Sequence, residues 1–155
     1  MSMFNPDTFL ATSYTEANST TLTPVPEGEY VAILGKPKAR QFSGTKDPGA
    51  VYTSLDINCE IDLGGQYPAI AAQIGRDKAN VRFSCMLDMT EDGTGLDMGK
   101  GKNVGLGRLR EAADLNVPGA PFSFAMFEGR PVKVSVKHRV VDDRIFDEVK
   151  AVAKL

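Results

Sequence analysis

A β-rich (α+β) domain is predicted by this sequence: a five-stranded Greek-key barrel of OB type, with one helix between strands three and four and an arm before strand one. Three observations predict it. Apolar and polar residues alternate with the two-residue period of half-buried strands in several separate segments. Those segments fall in the order strand, strand, strand, helix, strand, strand, whereas a two-sheet sandwich wants about seven strands and no helix of this length. Finally, 15 Gly and 9 Pro in 155 residues supply the many turns such a fold needs.

The first 26 residues are rich in Ser, Thr and Asn and end in Thr23-Pro24-Val25-Pro26. They read as an arm, residues 1–26, ahead of a barrel domain at 27–155. Its apolar residues Met3, Phe4, Phe9, Leu10 and Tyr14 are more than a solvated tail needs. They are expected to dock on the body or on a second copy of the chain.

Strand one begins at Glu29–Ile33, and Lys36-Pro37 bends it or frees its edge, because proline cannot donate to a ladder. Gln41 to Gly49 reads as turn chemistry. In strand two, Val51, Thr53, Leu55, Ile57, Cys59, Ile61 and Leu63 alternate with Tyr52, Ser54, Asp56, Asn58, Glu60 and Asp62. One face is core and the other is wet.

Gly64-Gly65 opens a connection to strand three, where Val81, Phe83, Cys85 and Leu87 alternate with Arg82, Ser84, Met86 and Asp88. The glycine-rich stretch Glu91–Lys102 predicts a long flexible loop. Asn103 is then placed to cap a helix over Val104–Leu115, with Leu106, Leu109 and Ala113 on one face. Phe122–Phe127 predicts a short turn or helical piece closed by Gly129. Strand four carries Val132, Val134, Val136 and His138, and Asp142-Asp143 turns it into a last strand over Arg144–Ala153.

Composition narrows function. The longest apolar runs, such as Val31–Leu34, are far short of the ~20 residues that cross a bilayer, so no membrane role is expected. The first residues lack a basic segment followed by an apolar core, and the two cysteines have no metal or framework spacing, which together predict a reducing cytoplasm. A net charge of −2 argues against coating duplex DNA by charge alone. The charges are nevertheless segregated: residues 1–28 hold Asp7, Glu16 and Glu27 without a Lys or Arg, whereas Lys36, Lys38 and Arg40 cluster, as do Arg130, Lys133, Lys137 and Arg139.

A barrel of this type that binds single strands uses basic residues for phosphates and aromatics for bases across strands two and three. The candidates are Lys36, Lys38, Arg40 and Phe42 leaving strand one, Tyr52 on strand two, Arg82 on strand three, and Lys100 and Lys102 in the loop. Lys36, Lys38, Arg40 and Phe42 share one parity, so an extended chain puts them on one side. The competing reading is a solvated edge strand guarded by lysines.

Catalytic signals are weak. Gly99-Lys100-Gly101-Lys102 lacks both the upstream Gly and the following Ser or Thr of a phosphate-binding Walker loop. His138 has no nucleophile beside it in the pattern and reads as a core or barrel-end residue. Asp56, Glu60 and Asp62 share the wet face of strand two, as a cation site would, and Asp142 or Asp143 with Glu148-Val149-Lys150 resembles a nuclease acid-x-Lys pattern, but ordinary strand exteriors explain both. Cys59 and Cys85 read as buried free thiols. No enzyme, metal or cofactor is expected.

Gly28-Glu29-Tyr30, Lys102-Asn103 with Leu106-Gly107-Arg108-Leu109-Arg110-Glu111-Ala112, and Gly129-Arg130-Pro131-Val132-Lys133-Val134 with Asp147-Glu148-Val149-Lys150 carry a family likeness. Over residues 27 to 154 the chain resembles a group of small bacteriophage-encoded OB-fold single-stranded DNA-binding proteins. The resemblance implies a non-enzymatic, sequence-tolerant binder of single-stranded DNA in phage replication and recombination, in the cytoplasm of an infected bacterial host. RNA is an open alternative ligand, and the arm a route to a homo-oligomer. Many replication-type binders end in an acidic tail, whereas here Lys150-Ala151-Val152-Ala153-Lys154-Leu155 stands, so either partner recruitment uses another surface, such as the acidic arm, or the protein does not organise a replisome. The alternatives are a structural or interaction protein of a phage particle and, more distantly, a metal-dependent nuclease.

Overall fold

Residues 3–155 are described by a computed structural model. The strand patterns form β1 (Gly28–Leu34), β2 (Lys38–Ser43), β3 (Val51–Asp62), β4 (Lys78–Leu87), β5 (Pro131–Val141) and β6 (Arg144–Ala153). They make one six-stranded mixed sheet in the order β1-β5-β6-β4-β3-β2, and a further β1–β3 pairing joins five of the strands into a ring. All pairings are antiparallel except β4 with β6, which meet in parallel at Phe83 and Val149.

Six strands replace the expected five because the first strand is divided. β1 pairs with β3 at Ile33–Glu60 and Leu34–Cys59, and β2 resumes on the same strand at Lys38–Asp56. Between Leu34 and Lys38 the chain therefore holds one residue more than β3 opposite it. That is the signature of a β-bulge, and one extra residue moves every later side chain to the other face. Even-numbered Tyr30, Ala32 and Leu34 are buried, whereas even-numbered Lys38, Arg40 and Phe42 are exposed. Gly35 anchors the bulge: its N–H donates to the Asn58 carbonyl over 2.8 Å, and a Cβ there would meet that oxygen at 3.0 Å. The turn expected from Gln41 is thus corrected. Gln41, Phe42 and Ser43 are strand, paired with Thr53, Tyr52 and Val51.

Helices are few and short: α1 (Pro6–Ala11), α2 (Leu63–Gln66), α3 (Pro68–Ile74) and α4 (Val104–Ala112), with a 3-10 turn at Phe124–Phe127. The single expected helix is α4, and it ends before Leu115. Asn103 stands at its cap position but works differently from a cap. Its backbone is left-handed (φ 54°), and its side chain accepts the Asp88 N–H and donates to the carbonyls of Asp88 and Asp97, pinning the two ends of the glycine-rich segment together. α2 and α3 fill the connection between β3 and β4, α2 taking in Gly64 and Gly65; Asp62 caps α2 by accepting the Gly65 N–H.

The core joins the inward parity of the strands (Leu34, Leu55, Ile57, Ile61, Val81, Val132, Val134, Val136) to Leu106 and Leu109 of α4 and to Phe127. Burying side chains of this size stabilises the fold by about 1.5–3 kcal/mol each. Val25, from the arm, is fully buried in the same cluster. Its neighbours hold it: its N–H donates to Asp147, its carbonyl lies 2.7 Å from His138 Nε2, and the Tyr30 hydroxyl donates to Pro26. Glu27 accepts the His138 N–H, and that bond holds its carboxyl below the ordinary range. His138 is therefore an end-of-ring residue that fastens the arm. Farther out, α1 buries nothing; Phe4, Phe9, Leu10 and Tyr14 are exposed and make no packing with the body's core.

Candidate nucleic-acid interface

Antiparallel partners directly opposite one another project from the same face of a sheet. On β2, β3 and β4 the outward residues therefore form rows: Phe42 beside Tyr52, Arg40 beside Ser54 and Met86, Lys38 beside Asp56 and Ser84, then Asn58 beside Arg82, and Glu60 beside Asn80. Five predicted site residues, Lys38, Arg40, Phe42, Tyr52 and Arg82, thus share one surface. The bulge is what puts the three from β2 there.

At one end the rings of Phe42 and Tyr52 lie 5.8 Å apart between centroids and are tilted by 31°. They remain 37% and 41% exposed, enough to leave ring surface for a flat ligand. The Arg40 guanidinium sits 4.9 Å from the Phe42 centroid, within cation–π range.

Next comes a polar knot. Arg40 Nε donates to Asp56 Oδ2 at 3.0 Å, while Ser54 and Ser84 hydroxyls donate to Asp56 Oδ1 at 3.0 and 2.7 Å. Partial burial opposes the charged carboxylate, but the bonds from Ser84, Arg40 and Ser54 with the Arg40 charge outweigh it and hold Asp56 below the ordinary range. Arg40 is consequently oriented, and its charge is partly offset by its partner. Lys38 and Arg82 have no carboxylate at ion-pair distance among the described residues, so their charges are uncommitted.

The remaining predicted residues are placed otherwise. Lys36 is exposed in the bulge, out of register with the face. Lys100 and Lys102 lie in the segment leading into α4, and Lys102 lines a small hollow with Leu106, Arg110 and Asn116; the structure does not bring either lysine into the rows. That segment is a built turn: Met89 bridges Leu96, and Asp92 accepts from the Thr90 and Thr94 hydroxyls and the Thr94 N–H.

The three carboxylates of β3 diverge in their uses. Asp56 serves Arg40, Glu60 faces Lys78 at 3.7 Å, and Asp62 caps α2. Among the described residues no group of three His, Cys, Asp or Glu is arranged to hold a metal ion. Cys59 faces Val81 and Cys85 faces Leu55, so the two thiols are four residues out of step and both are free. Burial pushes Cys59 up to about 12, and burial followed by the Asp56 charge pushes Cys85 up to about 11.

Sequence reasoning missed Ser54, Ser84 and Met86, which complete the face; their outward parity was the available signal. It also missed Arg76, whose guanidinium donates to the Thr23 carbonyl and so ties the arm down. Among the described residues no helix is long and apolar enough to cross a membrane. No protein-family model matches the chain, and no curated protein matches it in sequence.

Proposed function

We propose that this chain is a non-enzymatic, sequence-tolerant single-stranded DNA-binding protein of phage replication and recombination type, acting in the cytoplasm of an infected bacterial host. The observation that carries the reading is the joint placement of Lys38, Arg40, Phe42, Tyr52 and Arg82 on one exposed face, with a half-exposed aromatic pair at its end. Phosphates take the uncommitted charges of Lys38 and Arg82 and the oriented guanidinium of Arg40, while bases lie on Phe42 and Tyr52, each stack contributing ~1–3 kcal/mol. The OB-type barrel is part of this proposal. It is supported by the ring order, by a first strand shared between two neighbours, and by a helix between β4 and β5.

Titrating a fluorescent oligo-dT at two salt concentrations tests the reading. Affinity is expected to fall with salt with a slope of about −0.7 per phosphate neutralised. Absence of binding at low salt rejects it. A matched oligo-U decides whether RNA is accepted on the same face.

A second reading, an interaction protein assembled through its arm, is favoured by α1, a six-residue helix without a buried residue. Helices so short are marginal alone in water, so a second copy is its proposed support. Sedimentation of the full chain and of a chain lacking residues 1–20 tests this: the self-association is expected to vanish with the arm.

A further inference from the structure

A cavity of about 650 Å³ lies away from the aromatic pair, where β4 and β6 diverge below their single point of pairing. Its walls are of three kinds. Ile145, Phe146, Leu22 and Pro24 make an apolar side, Thr20 and Thr21 bring hydroxyls from the arm, and Arg76 and Arg144 bring two guanidinium groups. The carboxylates there are Asp147, engaged by the Val25 N–H, and Asp143, in the β5–β6 turn. No carboxylate of the described residues is at ion-pair distance from either arginine. Arg76 Nε is buried and has no hydrogen-bond partner among the described residues, although its Nη2 is used on Thr23. A buried, unpartnered donor on a charged group is costly, and an anion reaching it removes that cost.

Asn80 joins this cavity to the face described above. It lines the cavity, yet on β4 it stands two residues from Arg82 with the same outward parity, opposite Glu60. From Tyr52 to Glu60 the rows span roughly 25 Å of β3. A flexible strand lying on them from the aromatic pair arrives at Asn80 and at the cavity mouth.

We propose that the cavity is a second subsite that takes one nucleotide of the bound strand, its phosphate between Arg144 and Arg76 Nε and its base against Phe146. The inference rests on the single-strand reading and adds to it a distal grip, partly built by the arm. Phe146 is 44% exposed and Arg144 is exposed, so both can be truncated without opening the core. Arg76 is left intact because it holds the arm.

The test compares oligo-dT of about 5 and about 15 nucleotides on the full chain carrying Arg144→Ala with Phe146→Ala. The expected result is an about tenfold loss of affinity for the longer oligonucleotide and none for the shorter. Unchanged affinity for both, while Lys38→Ala with Arg40→Ala still weakens both, overturns the subsite and leaves the single-strand reading intact. If the unmodified chain binds neither oligonucleotide at low salt, that reading fails instead, and thymidine monophosphate then tests the cavity by calorimetry. Binding that the Arg144→Ala, Phe146→Ala chain loses upholds a nucleotide site; no binding overturns it.

Discussion

β1 and β2 run along the same neighbour, β3, and differ in almost everything else. β1 is shared between β5 and β3 and sends Tyr30, Ala32 and Leu34 into the core. β2 pairs with β3 alone, and all six of its residues are exposed. The bulge at Gly35–Pro37 separates a half that holds the fold from a half that serves a surface. Because all six residues of the second half are exposed, truncating them leaves no cavity in the core, and on the proposed reading they are the ones that meet the ligand.

Leu34→Ala, at a fully buried position, is expected to cost about 2–5 kcal/mol of stability, read as a shift in the denaturant midpoint. On β2, Lys38→Ala with Arg40→Ala is expected to move that midpoint by less than about 1 kcal/mol while lowering oligo-dT affinity and flattening its salt slope by about 1.4. A midpoint shift as large as that of Leu34→Ala would erase the distinction between the halves.

Deleting Lys36 attacks the boundary itself. Without the extra residue, Gly35 and Pro37 fall opposite Asn58 and Ile57 and Lys38 stays opposite Asp56, so Lys38, Arg40 and Phe42 keep the outward face. Oligo-dT binding is therefore expected to be largely retained, and a fall to the level of the Lys38→Ala, Arg40→Ala variant would show that the bulge geometry itself is needed.

Asp56→Asn frees Arg40 from its partner and is expected to raise oligo-dT affinity about two- to fivefold. Asp56 also confers a pH signature. Its folded carboxyl is below its ordinary value of 3.8, so its stabilising contribution is complete above that value and is lost as pH falls through the lower folded one. The stability difference between the native chain and Asp56→Asn should therefore shrink on acidification below about pH 4. Least affected is thiol chemistry: with both thiols held near 11 and 12, neither Cys85 nor Cys59 is expected to react with a disulfide reagent at pH 8 until the chain unfolds.

The strands were legible wherever one face is wet. Alternation located β3 closely, and Asp142-Asp143 placed the start of β6 by a turn built from residues that tolerate positive φ, here 49° and 63°. The bulge was not legible as such. Gly35 and Pro37 announced an interruption, but whether a chain bends away or inserts one residue depends on pairing with β3, which lies elsewhere in the sequence. The same non-local dependence hid Ser84 and Met86, brought to the face by register, and Arg76, which meets the arm 53 residues away. Asn103 was legible in position and not in role, because its bonds go to Asp88 and Asp97 rather than to the helix it precedes.

The ring closes through Phe83 and Val149 alone, whereas β3 and β4 are in register from Thr53–Leu87 to Asp62–Lys78. A closed sheet is only as permanent as its thinnest ladder, so this junction is expected to open before the others. Amide protons of β4 and β6 that point toward one another around Phe83 and Val149 should exchange with solvent well before those bonded between β3 and β4. Opening there would widen the gap that Thr23–Val25 now bridges, making the arm a clasp whose release sets how far the ring can breathe.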